Sequence, residues 1–371
     1  MALYIYQLKD WPHLTWNEEK LINLLGEVRH KQGKLLGRMH TIGFHLQSEA
    51  TLQILTLDVI KSSEIEGEIL DMDQVRSSIA RRLGMDIAGL VPADRNVDGV
   101  VEMMLDATQN YKSALTEDRL FGWHAALFPT GRAGMHKIVV GAWRNNAKKD
   151  LMQVVSGPIG REIIHYQAPD AELLPDEVSA FLNWFNEDET IDPVIKSALS
   201  HLWFVTIHPF DDGNGRIARA IADLQLARSD NSQQRFYSMS AQIRKDRNGY
   251  YNTLEKTQKD SLDITEWLLW FLNCLNRALS ASSETLADIL LKAKFWEKYN
   301  HDVFNDRQKL MLNKLLDVFE GKLNSSKWAK ITKSSSDTAL RDITDLLERK
   351  ILIREETRGR STSYLLNREN L

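Results

Sequence analysis

Along most of this chain apolar residues recur three and four positions apart, the spacing that gathers them on one face of an α-helix. In residues 18–71 the run Leu21, Leu24, Leu25 and Val28, followed by Leu52, Leu55, Val59 and Ile60, predicts a helical N-terminal region. Further helices are predicted over 97–116, 174–186, 193–207, 215–227, 243–257, 264–278 and 282–299. The period changes between 137 and 166, where Ile138-Val139-Val140, Met152-Gln153-Val154-Val155 and Glu162-Ile163-Ile164-His165-Tyr166 read as a β-hairpin inside a helical domain. Residues 84–96, with glycines and a proline, read as a linker. From 306 onward, helices over 307–319, 325–331 and 336–350 precede two β-prone runs, Ile351-Leu352-Ile353 and Thr362-Ser363-Tyr364-Leu365. Thr357-Arg358-Gly359-Arg360 joins those runs, and the whole spells a winged helix-turn-helix. The expected class is mainly α. The expected divisions are an N-terminal helical region (1–95), a central domain (96–280), a connecting helix (281–300) and a winged helix (301–371).

The 371 residues, 43% hydrophobic and 26% charged, suffice to bury sizeable cores and exclude a wholly disordered or fibrous chain. A formal charge of -4 argues against a globally basic nucleic-acid binder. The excess is uneven: residues 301–371 hold 14 Lys and Arg against 11 Asp and Glu, a local balance near +3. One cysteine, Cys274, permits no internal disulfide and reads as a small buried apolar side chain between Leu272 and Leu275. Residues 1–11 lack the basic, apolar and small-residue blocks of a secretory signal. The most apolar run, 264–275, is interrupted by Glu266 and Asn273 and falls short of the roughly 20 residues a membrane span needs. No membrane contact is expected, and the cytoplasm is the expected location.

The most informative segment is His208-Pro209-Phe210-Asp211-Asp212-Gly213-Asn214-Gly215-Arg216-Ile217-Ala218-Arg219. A helix ending near His208, a loop with two glycines and a helix starting near Asn214 together make an anion cradle. Glycines let backbone amides approach closely, and the new helix offers unpaired N–H groups and its positive dipole end. Arg216 and Arg219, three apart, share a face and present two guanidinium forks to phosphate oxygens. Asp212 is one carboxylate in a cationic loop, enough to tether a Mg²⁺ ion that is held mainly by a nucleotide. His208 has the chemistry of a general base, and Asp211 is expected to be solvated. His124, His136, His165 and His201 read as structural histidines. His201, seven residues before His208, lacks the i, i+4 partner of a metal pair.

These twelve residues resemble, position for position, the H-P-F-x-[DE]-G-N-G-R-x-x-R signature of Fic-domain proteins, most of which transfer AMP from ATP to protein hydroxyls. The resemblance implies a helical Fic core with a β-hairpin flap, His208 as the base toward a Ser, Thr or Tyr hydroxyl, and Asp212 as the Mg²⁺ ligand. It also implies an anion hole from Gly213, Asn214 and Gly215, phosphate contacts from Arg216, and Phe210 as the loop's anchor in the core. Tyr250-Tyr251-Asn252-Thr253-Leu254 looks like the family's nucleobase pocket, with Gln258 where many relatives carry Asn; the competing reading is a half-buried aromatic helix face. The 152–166 hairpin resembles the flap on which a target protein docks by strand addition.

Ser62-Ser63-Glu64-Ile65-Glu66-Gly67 is similar to the family's [ST]-x-x-x-E-[GN] inhibitory helix. That likeness implies that Ser62, Glu66 and Gly67 form a brake in which Glu66 pairs with Arg219 in the space of the ATP γ-phosphate. Alternatively, Glu64, Glu66 and Glu68 are a solvated acidic face. Two other functions stay open: a Fic-type enzyme using another donor or removing AMP, and a DNA-binding regulator contacting its site through Thr338, Arg341, Arg358 and Arg360. Asp337, Asp342 and Asp345 on the same helix dilute the DNA signal, and such modules also dock proteins. Assembly as a homodimer is a further open expectation.

Overall fold

The computed structural model describes residues 4–85, 89–146, 151–157, 161–187, 190–316, 319, 321–355 and 362–368. Fifteen α-helices occur among them: α1 (Glu18–Thr41), α2 (Phe44–Ile65), α3 (Met72–Arg82), α4 (Arg95–Gln109), α5 (Glu117–Leu127), α6 (Leu174–Glu187), α7 (Pro193–Ile207), α8 (Asn214–Asp230), α9 (Met239–Lys245), α10 (Arg247–Gln258), α11 (Thr265–Thr285), α12 (Ala287–Lys298), α13 (Asp306–Leu316), α14 (Ser325–Thr332) and α15 (Ser336–Glu348). Three two-stranded antiparallel sheets pair β1 (Arg132–Ala133) with β2 (His136–Lys137), β3 (Gln153–Ser156) with β4 (Ile163–Gln167), and β5 (Leu352–Arg354) with β6 (Tyr364–Leu366). The fold is mainly helical, as the periodicity predicts.

Residues 1–40 and 50–282 pack as one unit, 41–49 and 283–371 as a second. At the centre of the first lies the pair α7 and α8. Every residue of α7 from Val194 to Ile207 is buried, so the helix is enclosed on all sides rather than along one stripe. Its start is well specified: Pro193 occupies the first turn, and the Asp192 carboxylate accepts from the Val194 amide at 2.8 Å. Its end is set by His208, which adopts the left-handed conformation (φ 52°, ψ 57°) as C-cap. Gly213, with φ 80°, then caps the N-terminus of α8. Trp267 fastens α11 to α7 by donating its Nε1–H to the Ala198 carbonyl at 2.9 Å.

Several details differ from the sequence reading. Residues 138–140 are not a strand, because the Val139 amide is taken by the Asp211 carboxylate. The helix expected over 97–116 ends at Gln109, and Thr116 instead caps α5, accepting from the Arg119 amide at 3.2 Å. The helix expected over 243–257 breaks at Asp246 into α9 and α10. The described part of the expected linker is fixed in place: Ser77 Oγ accepts from the Val91 amide at 3.0 Å, and Gln74 Oε1 from the Asp94 amide at 2.9 Å. Cys274 is buried without a disulfide, and burial pushes its thiol up to about 12.

In the second unit α13, α14 and α15 precede the β5–β6 hairpin, whose register runs Leu352 to Leu366 and Arg354 to Tyr364. Lys333 in the left-handed conformation and Ser335 as N-cap make the tight α14–α15 turn. Trp328, Ile343, Leu346, Leu352 and Tyr364 share one core. Asp342 is buried against Arg307, 2.7 Å from its Nε, and so faces the core rather than a ligand. The hairpin tip with Arg358 and Arg360 lies outside the described residues. Among the described residues no helix is long and apolar enough to cross a membrane.

Candidate functional site

The loop between α7 and α8 is locked by its own polar groups. Asn214, 2% exposed, accepts from the Phe210 amide at 3.0 Å through Oδ1 and donates from Nδ2 to the Phe210 carbonyl at 2.8 Å. Its side chain therefore holds the loop, and what it offers an anion is its backbone at the start of α8. Phe210 is fully buried and stacks on His124, with ring centroids 4.1 Å apart and planes 6° from parallel. The His124 ring accepts from the Gly141 amide through Nδ1 and donates from Nε2 to the Asp212 carbonyl, both at 3.2 Å. That arrangement suits the neutral ring, and burial depresses its pKa to about 4. Asp211, expected to be solvated, is half-buried and accepts from the Val139 amide at 2.8 Å, which ties the loop to residues 138–140.

His208 is half-buried at the floor of a cleft of about 480 Å³. Its Nδ1–H donates to the Val205 carbonyl at 3.3 Å, which leaves Nε2 as the basic atom. Burial pushes its pKa down to about 4, with the Arg144 charge adding and the Val205 carbonyl and Glu66 opposing, so the ring is neutral at pH 7. Arg144 was not singled out from the sequence. It is 2% exposed and donates from Nε to the His208 carbonyl at 2.8 Å and from Nη2 to the Pro169 carbonyl at 2.5 Å. Its own amide donates to the Pro209 carbonyl at 3.0 Å, so this arginine moors the strained turn that carries His208. Nothing in the hydrophobic pattern marks it, since a buried arginine is recognisable only through its acceptors.

Arg219 is buried on α8 and donates from Nε to Ser62 Oγ at 3.0 Å and from Nη2 to the Ser62 carbonyl at 2.9 Å. Its Nη1 forms an ion pair with Glu66 Oε1 at 2.8 Å. Tyr251 donates its hydroxyl to the other oxygen of Glu66 at 3.3 Å. Burial alone would raise the Glu66 pKa, but Arg219, then Arg216 and Tyr251, hold it below the usual carboxylate range. Gly215 leaves room for this carboxylate: a Cβ there would come within 2.3 Å of Glu66 Oε1 and push the end of that side chain aside. Arg216 pairs with Glu68 and lies over the Phe128 ring, 5.1 Å from its centroid. The acids at the end of α2 and in the turn after it are thus paired with cations, Glu66 with Arg219 and Glu68 with Arg216, and the Glu68 contact is one that the sequence reading missed.

The cleft is lined further by Tyr250, Tyr251, Leu254 and Gln258 of α10 and by Val154, Ser156 and His165 of the β3–β4 hairpin. Tyr250 is buried and bonded to His201 at 2.9 Å, while Tyr251 stands at the cavity with its hydroxyl on Glu66. His201 is thus a buried structural histidine, and burial, with the Arg219 charge, lowers its pKa to about 3. Gln258 donates to Thr206 Oγ1 at 3.2 Å, tying α10 to the end of α7. A bulge between Val154 and Val155 turns His165 toward α10, where it bridges Ser156 at 2.6 Å and Glu255 at 2.7 Å and clasps the hairpin to the helix. Val155, Ile163 and Ile164 are exposed on that hairpin.

Among the described residues no group of three or more His, Cys, Asp or Glu side chains gathers as a metal site. Asp212 is a single exposed carboxylate at the loop, a donor set that fits a cation brought in mainly by polyphosphate and water.

Residues 114–226 match the Fic/DOC family, and residues 4–85 match a domain family of unknown function (DUF4172). A protein adenylyltransferase of Caenorhabditis elegans is 28% identical over 192 residues, 50% of this chain and 35% of that protein. A protein adenylyltransferase of Nematostella vectensis is 33% identical over 115 residues, 30% of this chain and 25% of that protein. The chain thus spans well under two thirds of these curated relatives. A solved Fic family protein from Desulfovibrio desulfuricans superposes with a TM-score of 0.58 at 21% identity, covering 94% of this chain and 95% of the other, a likeness of fold.

Proposed function

We propose that this chain, which carries a Fic domain, transfers AMP from ATP to a Ser, Thr or Tyr hydroxyl of a target protein and of itself, and that Glu66 restrains the reaction. The observation that carries this reading is one cleft lined by a neutral His208, by Gly215 in the first turn of α8 and by Glu66, whose carboxylate pairs with the buried Arg219. In the reaction the hydroxyl oxygen attacks the α-phosphorus, the bond to the bridging oxygen breaks, and pyrophosphate leaves. His208 Nε2 takes the hydroxyl proton. Such transfer depends chiefly on alignment and charge neutralisation, which the α8 amides, Arg216 and Arg219 supply. Asp212 would hold a Mg²⁺ ion, which neutralises charge on the phosphates when bound.

Tyr251 and Leu254 would flank the nucleobase, and the exposed apolar residues of the β3–β4 hairpin would receive an extended target segment along its edge. Glu66 occupies the pocket as a competing anion, so ATP would enter in a misaligned pose until the helix end moves. Intact mass after incubation with ATP and Mg²⁺ tests the reading: AMP addition that depends on His208 supports it, and its absence in a Glu66→Gly variant with proven ATP binding overturns it.

A second activity is favoured by one observation in the C-terminal unit. Asp342 and Asp345 are engaged by Arg307 and Arg349, which leaves Arg341 exposed on α15 without those acids around it. We propose that α15 contacts nucleic acid there, in the manner of a winged helix. Arg341→Glu in the full chain would abolish DNA retention and leave self-modification intact; retention that survives would discard this second role.

A further inference from the structure

Arg216 and Arg219, in the first two turns of α8, are met by carboxylates from a single turn. While Glu66 faces Arg219, Glu68 two residues on places Oε2 2.7 Å from Arg216 Nη1. Gly67, at φ 85°, reverses the chain between them, and the Glu68 amide donates to the Ser63 carbonyl at 3.0 Å, closing the turn on the end of α2. The other oxygen of Glu68 accepts from Asn96 Nδ2, on the first turn of α4. Arg216 is 6% exposed, and its Nε–H has no partner among the described residues. A buried guanidinium N–H in that state favours any acceptor that reaches it.

Two guanidinium charges and two carboxylate charges therefore cancel at the start of α8, where a polyphosphate would otherwise find two unopposed cations and a helix N-terminus. Removing Glu66 alone leaves half of that cancellation in place. We propose that Glu68 is a second inhibitory carboxylate, capping Arg216 as Glu66 caps Arg219, and that α4 holds it there through Asn96. This deepens the reading of the preceding section and rests on it for the identity of the anion. The two carboxylates share one turn around Gly67, so displacement of that turn moves both off their arginines. The handle is α4, whose N-terminal end is joined to α3 by the Gln74 and Asp94 contact. A partner that shifts α4 would release both arginines at once.

The test is calorimetric titration of inorganic tripolyphosphate, and separately of ATP, into the full chain. The proteins are wild type, Glu68→Gln, Asn96→Ala, Glu66→Gly and the Glu66→Gly/Glu68→Gln pair, each checked for folding by thermal melt. Gln at 68 keeps an acceptor for Asn96 and removes the charge on Arg216. Glu68→Gln is expected to tighten tripolyphosphate binding roughly three- to tenfold, the scale of one partly exposed charge pair. Asn96→Ala, which touches neither arginine, is expected to tighten it by less, and the double variant to exceed Glu66→Gly alone. Unchanged or weaker binding in both Glu68→Gln and Asn96→Ala would overturn the proposal and leave Glu68 as a support for Arg216. Tripolyphosphate binding is read without transfer. Tightening with no AMP addition would thus keep the second carboxylate and discard adenylyl transfer, whereas AMP addition with unchanged binding would do the reverse.

Discussion

Oε1 of Glu66 stands 2.8 Å from Nη1 of Arg219, and the carboxylate lies close over Gly215, where a Cβ would come within 2.3 Å of it. One side chain thus covers both a buried cation and the first turn of α8, the two groups proposed above to receive phosphate. Because Arg219 is also anchored twice to Ser62, the contact joins α2 to α8 through a buried group rather than a mobile surface pair.

Glu66→Gly is expected to raise self-modification by about tenfold or more, which corresponds to removing roughly 1.4 kcal/mol of competition at the pocket. Arg219→Ala should reproduce only part of the gain, since it loosens the restraint and removes a phosphate contact together. Rates of AMP incorporation measured side by side check this. An unchanged or lower rate in Glu66→Gly would show that the carboxylate does not restrain transfer.

The acid limb of the rate profile should lie near pH 4. His208 is held neutral down to about 4, so its lone pair stays available well below the ordinary histidine value of 6.5. Glu66, with its pKa lowered, keeps its charge down through the usual carboxylate range, and its pairing with Arg219 is lost only as the pH falls through that lowered value. Single-turnover rates of Glu66→Gly between pH 4 and 8 test the first point; a limb centred at 6.5 would argue against a buried base.

Arg144→Ala should lower the transfer rate by about a hundredfold while ATP affinity changes little, because it frees the His208–Pro209 turn without touching the phosphate pocket. Lysine at 144 should not restore the rate, since one ammonium cannot reproduce a planar fork directed at His208 and Pro169. A KM increase with normal turnover would place Arg144 in nucleotide binding instead.

Stability should fall as the pH drops below 6.5. His124 and His201 are buried and neutral, with pKa values of about 4 and about 3 in the fold, so between those values and 6.5 the unfolded chain binds the extra protons. Each contributes a loss of roughly 1.4 kcal/mol per pH unit in that window. Urea midpoints at pH 7 and 5.5 measure it, and His124→Asn or His201→Asn should flatten the slope.

The helices were legible where one pattern dominates. Pro193 to Ile207 could be read from its apolar spacing, and its observed bounds are the expected ones. The turn between α7 and α8 was legible because the residues from His208 to Gly215, with their glycines, answer the local demand of a break between two helices. What escaped depends on long-range partners. Asp211 is anchored by an amide 72 residues away, Arg216 is met by Glu68 across 148 residues, and Arg144 reaches carbonyls 64 and 25 positions on besides its neighbour Asn146. Periodicity along the chain carries no record of such pairings, and the break at Asp246 was hidden because α9 and α10 continue one helical spacing.

The most direct measurement is intact mass of wild type, Glu66→Gly and Glu66→Gly/His208→Ala after incubation with ATP and Mg²⁺, with α-labelled ATP as a parallel count of incorporation. The account predicts whole AMP additions in Glu66→Gly, fewer in wild type and none in the double variant although it still binds ATP. Equal labelling of all three, or no labelling of Glu66→Gly while it binds ATP, would contradict a restrained adenylyl transfer driven by His208.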